Sequence, residues 1–299
     1  MIPPKFEYFA PTTLHGALAL LHRYGSEAKL LSGGQSLIPL MKLRLAAPAY
    51  LIDINRIPGL DQLQENNGFL SIGALTREAD LERSEFVRTK YPIVYDTARV
   101  IGDPLVRNLA TIGGNLAHAD PANDHPATML ALGAEIVATG LDGERTIPAA
   151  EFFTDFFTTA LRPEEILTAI RIPAPAARSG GTYIKLERKV GDFAVVGVAA
   201  HVTLDAAGIC TRAGIGLTNV APTALKVRPA EAFLQGKRLD QGSIQHAAQL
   251  AAEVATPEAD LRGSIEYKRD MVRVLTTRAL TRALERVGKP GSTPPNWRG

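Results

Sequence analysis

The chain has 299 residues, of which 45% are hydrophobic and 21% are charged, which suits one large folded domain or two ordinary ones. Its 33 basic and 31 acidic residues leave a net charge of +2, and the two signs are mixed along the chain. This balance gives no support for a protein that binds nucleic acid.

The cysteine content excludes two further classes of protein. The single cysteine, Cys210, cannot form an internal disulfide, and one thiolate cannot hold an iron–sulfur cluster. The N-terminus lacks the pattern of a secretory signal, and apolar stretches such as 193–200 are too short to span a membrane. We therefore expect a protein of a reducing, cytoplasmic compartment.

The first 55 residues predict a small α/β unit. A threonine cap, leucines on one face and Gly25 indicate a helix over 11–25. Apolar strands are predicted at 29–31 and 50–54, separated by a glycine-rich turn and the apolar segment 37–45.

The segment from 56 to about 175 has a more mixed pattern. It predicts strands and helices in this order: strand 69–72, helices 76–83, 91–101 and 124–132, and strands 135–138 and 166–172. Proline, alanine and glycine are frequent over 173–181, which predicts a linker between domains.

The last third of the chain predicts a second, smaller α+β domain. Its expected elements are strands 193–204 and 209–219, followed by helices 229–235, 243–255 and 266–286. Beyond Gly288 the tail is rich in proline and glycine and is expected to be loose.

Two glycine pairs indicate a site for a diphosphate. Ser32–Ser36 reads Ser-Gly-Gly-Gln-Ser, and Thr111–Asn115 reads Thr-Ile-Gly-Gly-Asn. Glycines let backbone amides converge on an anion, and a helix that follows adds its free N–H groups. Either glycine pair alone would more often form an ordinary tight turn than bind an anion. Together they predict one nucleotide held from two sides without a nearby cationic side chain, and a side chain at Gly113 should displace a phosphate oxygen.

The usual dinucleotide-binding fingerprint is missing. Gly214 and Gly216 are not followed by the third glycine that the Rossmann pattern requires. A dinucleotide would therefore bind to a different fold.

At the two glycine turns the sequence resembles the FAD-binding medium subunits of molybdenum hydroxylases, and most of all those of the aerobic carbon monoxide dehydrogenase type. The resemblance is collinear over residues 1–288. It implies an α+β fold with a FAD-binding domain at 1–176, built from subdomains at about 1–55 and 56–176 and not a Rossmann fold. A smaller C-terminal α+β domain follows at 177–288, and a flexible tail at 289–299.

The resemblance also implies a set of cofactor-binding residues. They are Ser32, Gly33, Gly34, Gln35, Ser36 and Leu37 in the first loop, Thr111, Ile112, Gly113, Gly114 and Asn115 in the second, and Asp120, Asp124, Ile166, Leu167, Lys185, Asp192 and Phe193 beyond them. Histidine often stands at the position of Gln35 in this family. In more distant flavoproteins of the fold, a histidine in this loop can bond covalently to the flavin, so Gln35 implies dissociable FAD.

By this resemblance Asp124 holds the ribityl–ribose region, the strand with Ile166 and Leu167 lines the adenine, and Lys185 and Asp192 lie near the isoalloxazine. Phe193 is expected beside the flavin ring, where it can stack but cannot donate a hydrogen bond.

Other interpretations of these residues stay open at this point. Asp124 could instead cap the helix that follows it, and Lys185 and Asp192 could belong to a solvated loop. His118 and His125, seven residues apart, make a poor metal site, so no metal site is predicted.

The resemblance implies a division of labour among subunits. A large subunit would hold molybdopterin, a small subunit two [2Fe–2S] clusters, and this chain would pass electrons through FAD to an external acceptor, without a catalytic residue of its own. A dimer of heterotrimers follows by resemblance only, with a possible peripheral contact to a membrane acceptor. Two alternatives are a stand-alone flavin-dependent alcohol oxidase or dehydrogenase and a nucleotide-binding assembly factor.

Overall fold

The computed structural model describes residues 2–289; the predicted tail otherwise lies outside the described residues. The N-terminal unit is a three-stranded parallel sheet in the order β1-β3-β2 with two helices. Its elements are β1 (Glu7–Phe9), α1 (Leu14–Tyr24), a 3-10 turn (Gly25–Glu27), β2 (Ala28–Leu31), α2 (Leu37–Lys42) and β3 (Tyr50–Asp53).

The predicted first helix is confirmed together with both of its ends. Thr13 caps α1 by accepting a hydrogen bond from the amide of Gly16, and Gly25 ends it with a φ of 53°. Ala17, Leu18 and Leu21 are buried on the face that the sequence pattern indicated.

The middle unit is a five-stranded antiparallel sheet in the order β4-β5-β10-β6-β7, with its helices inserted between the strands. Its elements are β4 (Leu63–Asn66), β5 (Phe69–Gly73), α3 (Glu78–Arg83), α4 (Glu85–Lys90), α5 (Pro92–Ala98), α6 (Pro104–Arg107), α7 (Ile112–His118), α8 (Asp124–Leu132), β6 (Glu135–Gly140), β7 (Gly143–Pro148), α9 (Ala149–Phe152), β8 (Phe153–Asp155), β9 (Thr158–Thr159) and β10 (Ile166–Pro173).

The C-terminal unit is a four-stranded antiparallel sheet covered by helices, in the order β11-β12-β13-β14. Its elements are β11 (Ser179–Leu186), β12 (Val196–Leu204), β13 (Cys210–Thr218), β14 (Leu225–Lys226), α10 (Arg228–Leu234), α11 (Gln241–Val254) and α12 (Ile265–Glu285). The α+β class predicted from the sequence is therefore confirmed.

Several boundaries differ from the sequence-based prediction, two of them around β11 and β12. The expected linker over 173–181 is shorter, because β11 already begins at Ser179. Gly180 lies within this strand, and glycine is required there because a Cβ would meet the backbone nitrogen of Val287 at 2.8 Å. The strand expected from 193 begins only at Val196.

Helix α8 joins the middle and C-terminal units. All nine of its residues are buried. Gly214 and Gly216, the pair without the third glycine of the Rossmann pattern, allow β13 to lie this close to α8. A Cβ at Gly214 or Gly216 would collide with the backbone of Ala131 or Ala127 in α8. These glycines serve close packing of a helix on a strand rather than nucleotide binding.

Candidate functional site

The first glycine loop offers a run of free amides. The chain leaves β2, turns at Gly34 with a φ of 69°, and enters α2 at Leu37. Among the described residues, the amides of Gly33 to Leu37 find no hydrogen-bond acceptor. The hydroxyl of Ser36 does not cap α2 and adds another possible donor. Five successive amides without an acceptor form the nest that an anionic group needs.

The second glycine motif differs from the expected open turn. Residues 112–115 form the first turn of α7, which Thr111 caps. The three amides from 112 to 114 already donate, at 3.0–3.1 Å, to the carbonyls of Thr76 and Ala74 and to the hydroxyl of Thr111. These N–H groups have acceptors within the chain, so the second motif does not present free amides as the first loop does, and its part in holding the cofactor stays a prediction.

Gly113 is a packing residue. A Cβ at this position would lie 2.5 Å from the Cβ of Ala74 and 2.6 Å from its carbonyl oxygen. The expectation that a side chain here would displace a phosphate oxygen is therefore wrong. The glycine is needed because α7 lies directly against the chain that follows β5.

The two motifs nevertheless meet. The hydroxyl of Thr111 donates to that of Ser32 at 3.2 Å. A Cβ at Gly33 would lie 2.8 Å from the Cα of Ala110 and closer still to the carbonyl of Leu109. The first loop thus rests on the backbone that leads into α7, and its amides are held by this contact.

Arg77 and Asn55 hold backbone carbonyls of both loops, a role that the sequence analysis missed. The Arg77 guanidinium donates to the Leu109 carbonyl and to Asn55 Oδ1, the latter at 2.6 Å. Asn55 Nδ2 in turn donates to the Ser32 carbonyl at 2.9 Å. The prediction that no cationic side chain lies near either turn is wrong, because the Arg77 guanidinium binds the carbonyl of Leu109, just before the second motif. No local signal could reveal it, since Arg77 is 22 and 32 residues from its two partners.

Asp124 is the first residue of α8, and Asn123 occupies the N-cap position, so the capping interpretation of Asp124 is wrong. The Asp124 side chain is 6% exposed, and its carboxylate is already hydrogen-bonded. Tyr183 donates to Oδ1 at 2.6 Å and Lys185 to Oδ2 at 3.0 Å. Burial, followed by the charge of Asp124, raises the pKa of the Tyr183 hydroxyl well above its usual value, so Tyr183 stays a donor.

Asp192 and Phe193 lie on the loop between β11 and β12. Asp192 accepts hydrogen bonds from Arg262 at 3.0 Å and Arg188 at 3.2 Å. The hydrogen bond from Arg262 is the largest cause that lowers the Asp192 pKa to about 2. Phe193 is 48% exposed and presents an aromatic surface, with the Arg262 guanidinium 5.8 Å from its ring centroid.

The remaining predicted residues lie in three settings. Gln35 bonds weakly back to the Gly33 carbonyl at 3.4 Å. Asp120 closes a turn by accepting from the amide of Ala122 at 2.9 Å. Ile166 and Leu167 are 1% and 5% exposed and pack into two different apolar cores. A place for adenine beside these two side chains stays a prediction, and their burial gives it no support.

The described residues contain no group of three or more potential metal ligands. His125 instead contacts Glu78 at 2.7 Å, with both side chains fully buried. Within residues 2–289, no helix combines the length and apolar character needed to cross a membrane.

An amide nest on an α+β scaffold without a Rossmann sheet suits the diphosphate of a bound cofactor. Family models identify the class of protein. Residues 4–175 match the FAD binding domain in molybdopterin dehydrogenase, and residues 181–283 match the CO dehydrogenase flavoprotein C-terminal domain. The chain belongs to the FAD-binding medium subunits of the molybdenum hydroxylases, and it is therefore an oxidoreductase subunit.

Curated relatives and solved structures agree over nearly the whole chain. The carbon monoxide dehydrogenase medium chain of Hydrogenophaga pseudoflava is 46% identical, covering 96% of this chain and 99% of the relative. A subunit of the 6-hydroxypseudooxynicotine dehydrogenase complex of Paenarthrobacter nicotinovorans is 38% identical, and the match covers 96% of this chain and 97% of the relative.

Two solved structures show the same fold. That of the Hydrogenophaga pseudoflava carbon monoxide dehydrogenase lacking the Mo-pyranopterin moiety superposes with a TM-score of 0.93 at 47% identity, over 96% of this chain and all of the other. The structure of quinoline 2-oxidoreductase from Pseudomonas putida 86 superposes with a TM-score of 0.89 at 31% identity, with the same coverage of both chains.

Proposed function

We propose that this chain is the FAD subunit of an aerobic carbon monoxide dehydrogenase. It takes electrons from a [2Fe–2S] subunit and passes them to an external acceptor. The observation that carries the substrate is the end-to-end likeness to carbon monoxide dehydrogenase medium chains, at 46% and 43% identity. Relatives that act on nicotine derivatives, caffeine and glyceraldehyde are less similar, at 31% to 38%.

The residues present fit FAD. The free amides of 33–37 would hold the diphosphate, and glycine is required at 33 and 34 because a Cβ at either position would collide with the backbone of Ala110 or the side chain of Ile38. Asn115 has a buried side-chain oxygen without a partner among the described residues, which suits a polar group of the cofactor. When bound, the flavin supplies electron transfer in one- and two-electron steps, while the protein supplies position and electrostatics.

Asp124 would contribute as part of a fixed group. Each of its oxygens retains a lone pair beside the bonds from Tyr183 and Lys185, so the carboxylate can still accept from a ribityl or ribose hydroxyl. Lys185 neutralises it and holds its orientation. Phe193 would stack at the exposed end of the site, and Gln35, which cannot bond covalently to the flavin, keeps the cofactor dissociable.

The partners in this proposal are a large molybdopterin-binding subunit and a small [2Fe–2S] subunit, assembled as a dimer of heterotrimers in the cytoplasm. Cys210 is the single cysteine of the chain, so iron–sulfur clusters need thiolates from another subunit. Electrons would leave to an external acceptor, with at most a peripheral contact to a membrane.

The substrate is tested with the purified native assembly and an artificial dye as acceptor. We expect reduction of the dye with carbon monoxide and no comparable rate with glyceraldehyde, nicotine or caffeine. Turnover of one of these compounds in place of carbon monoxide would move the chain to another branch of the family. Turnover of a small alcohol by this chain alone would indicate a stand-alone flavin oxidase.

A further inference from the structure

One buried ammonium is shared by two carboxylates. Lys185 Nζ lies 3.0 Å from Asp124 Oδ2 and 3.7 Å from Glu187 Oε2, and the Lys185 side chain is only 3% exposed. It also donates to the Val100 carbonyl at 3.0 Å. With both carboxylates ionised, this three-residue cluster, Asp124, Lys185 and Glu187, carries a net charge of −1.

The two carboxylates are not equivalent. Asp124 receives hydrogen bonds from Tyr183 and Lys185. Oε2 of Glu187 is buried without a hydrogen-bond partner among residues 2–289, and 3.7 Å is too long for a hydrogen bond from Lys185. The Glu187 side chain as a whole is 23% exposed and can therefore exchange a proton with water.

The charges around Glu187 also favour its protonated form. Burial raises its pKa, and the charges of Asp124 and Asp192 raise it further, while Lys185 and a backbone hydrogen bond from Gly191 lower it. Asp192 is itself compensated by Arg262. An added proton in this cluster would therefore reside on Glu187, because it is the carboxylate with the weaker compensation.

The cluster adjoins the proposed cofactor site. Asn123, next to Asp124, donates to the carbonyl of Asn115 in the first turn of α7 at 2.8 Å. Gly191, on the loop that follows Glu187, packs against Gly102, so closely that a Cβ there would meet the Gly102 carbonyl carbon at 3.2 Å. The chain from Gly102 leads through α6 to Thr111.

We propose that Glu187 takes up a proton when the bound flavin becomes more negative on reduction, with Lys185 linking the two charges. This inference rests on the proposed function, since it requires FAD beside the cluster. The electrons come from the partner subunit and the proton from water. The proton forms one O–H bond at Glu187 Oε2, and no bond of the chain breaks. Glu187 is thus a positioning residue that tunes the cofactor through Lys185.

The test is the midpoint potential of the FAD-loaded full-length chain against pH, measured with redox dyes for the wild type, Glu187→Gln and Glu187→Asp. One additional proton in a two-electron reduction steepens the dependence by about 30 mV per pH unit. We expect this extra slope in the wild type and in Glu187→Asp, over the interval between the Glu187 pKa values of the oxidised and reduced forms, and its loss in Glu187→Gln. The matched control is Glu144→Gln, at an exposed position on β7, which should retain the wild-type slope.

A second readout is the reduced-minus-oxidised infrared spectrum. The wild type should gain the carbonyl stretch of a protonated carboxylic acid on reduction, Glu187→Asp should shift that band, and Glu187→Gln should lack it. Equal slopes and equal bands in wild type and Glu187→Gln would overturn the inference while FAD binding stands. If Glu187→Gln does not fold, an unshifted band in Glu187→Asp overturns it. A wild-type chain that binds no FAD would instead overturn the proposed function.

Discussion

The contact between the two glycine motifs can be tested by adding one methyl group, with Gly33→Ala. The new Cβ would lie 2.8 Å from the Cα of Ala110, against about 3.5–4.0 Å for an ordinary carbon–carbon contact, so the loops must separate by roughly 1 Å. Overpacking of this kind costs about 1–3 kcal/mol. The free protein can relieve it by moving the first loop, but binding FAD requires the amides of 33–37 to return. The cost therefore reappears in the affinity, and a Kd about tenfold higher or more is expected.

The assay is titration of the FAD-free chain with FAD, followed by flavin fluorescence. Gly242→Ala is the matched control, because a Cβ there would find its nearest neighbour, Asp240 Oδ1, at an ordinary 3.6 Å. The control should bind FAD like the wild type. A Gly33→Ala variant with wild-type affinity would refute the argument that this contact holds the nest in place.

Three further results are expected from urea unfolding. Asp124→Ala leaves the Lys185 ammonium buried without this partner and should lower the free energy of unfolding by about 3–5 kcal/mol. The control Glu65→Ala breaks an exposed ion pair with Lys90 and should lower it by less than about 1 kcal/mol. Similar losses in the two variants would contradict a stabilising role of the buried pair. Burial, followed by the charge of Arg212, lowers the pKa of His201 from 6.5 to about 4. The unfolded chain therefore binds the proton first as pH falls, so about 3 kcal/mol of stability should be lost between pH 6.5 and 4. His201→Gln should flatten this dependence, and an unchanged pH profile would exclude His201 as its cause. Gly113→Ala should destabilise the fold by about 1–3 kcal/mol through its contact with Ala74, and unchanged stability would contradict the packing role.

The fold was predictable where periodic patterns and caps act locally. The helix at Leu14–Tyr24 has its cap, its buried leucines and its terminal glycine within 13 residues, and the sequence indicates all three. The buried helix Asp124–Leu132 likewise ends at Gly133, as predicted. Short polar strands such as Gly143–Pro148 carry no such signal, because their pattern depends on the neighbouring strand.

The candidate site was only partly predictable, because a glycine pair does not reveal what its amides contact. The first loop is open, whereas in the second the amides of Ile112 and Gly113 are taken by the carbonyls of Thr76 and Ala74, which come much earlier in the chain. The glycines at 180, 214 and 216 also serve packing, which only the neighbouring helices disclose. Tyr183 was missed for the same reason: its partner Asp124 is 59 residues away.

The most direct test of the proposed relay is the composition and visible spectrum of the native assembly purified through this chain. We expect flavin and iron–sulfur absorbance together, molybdenum in the metal analysis, and two co-purifying subunits. Flavin bands from this chain alone, without molybdenum, iron or partner subunits, would contradict the assignment as a relay subunit.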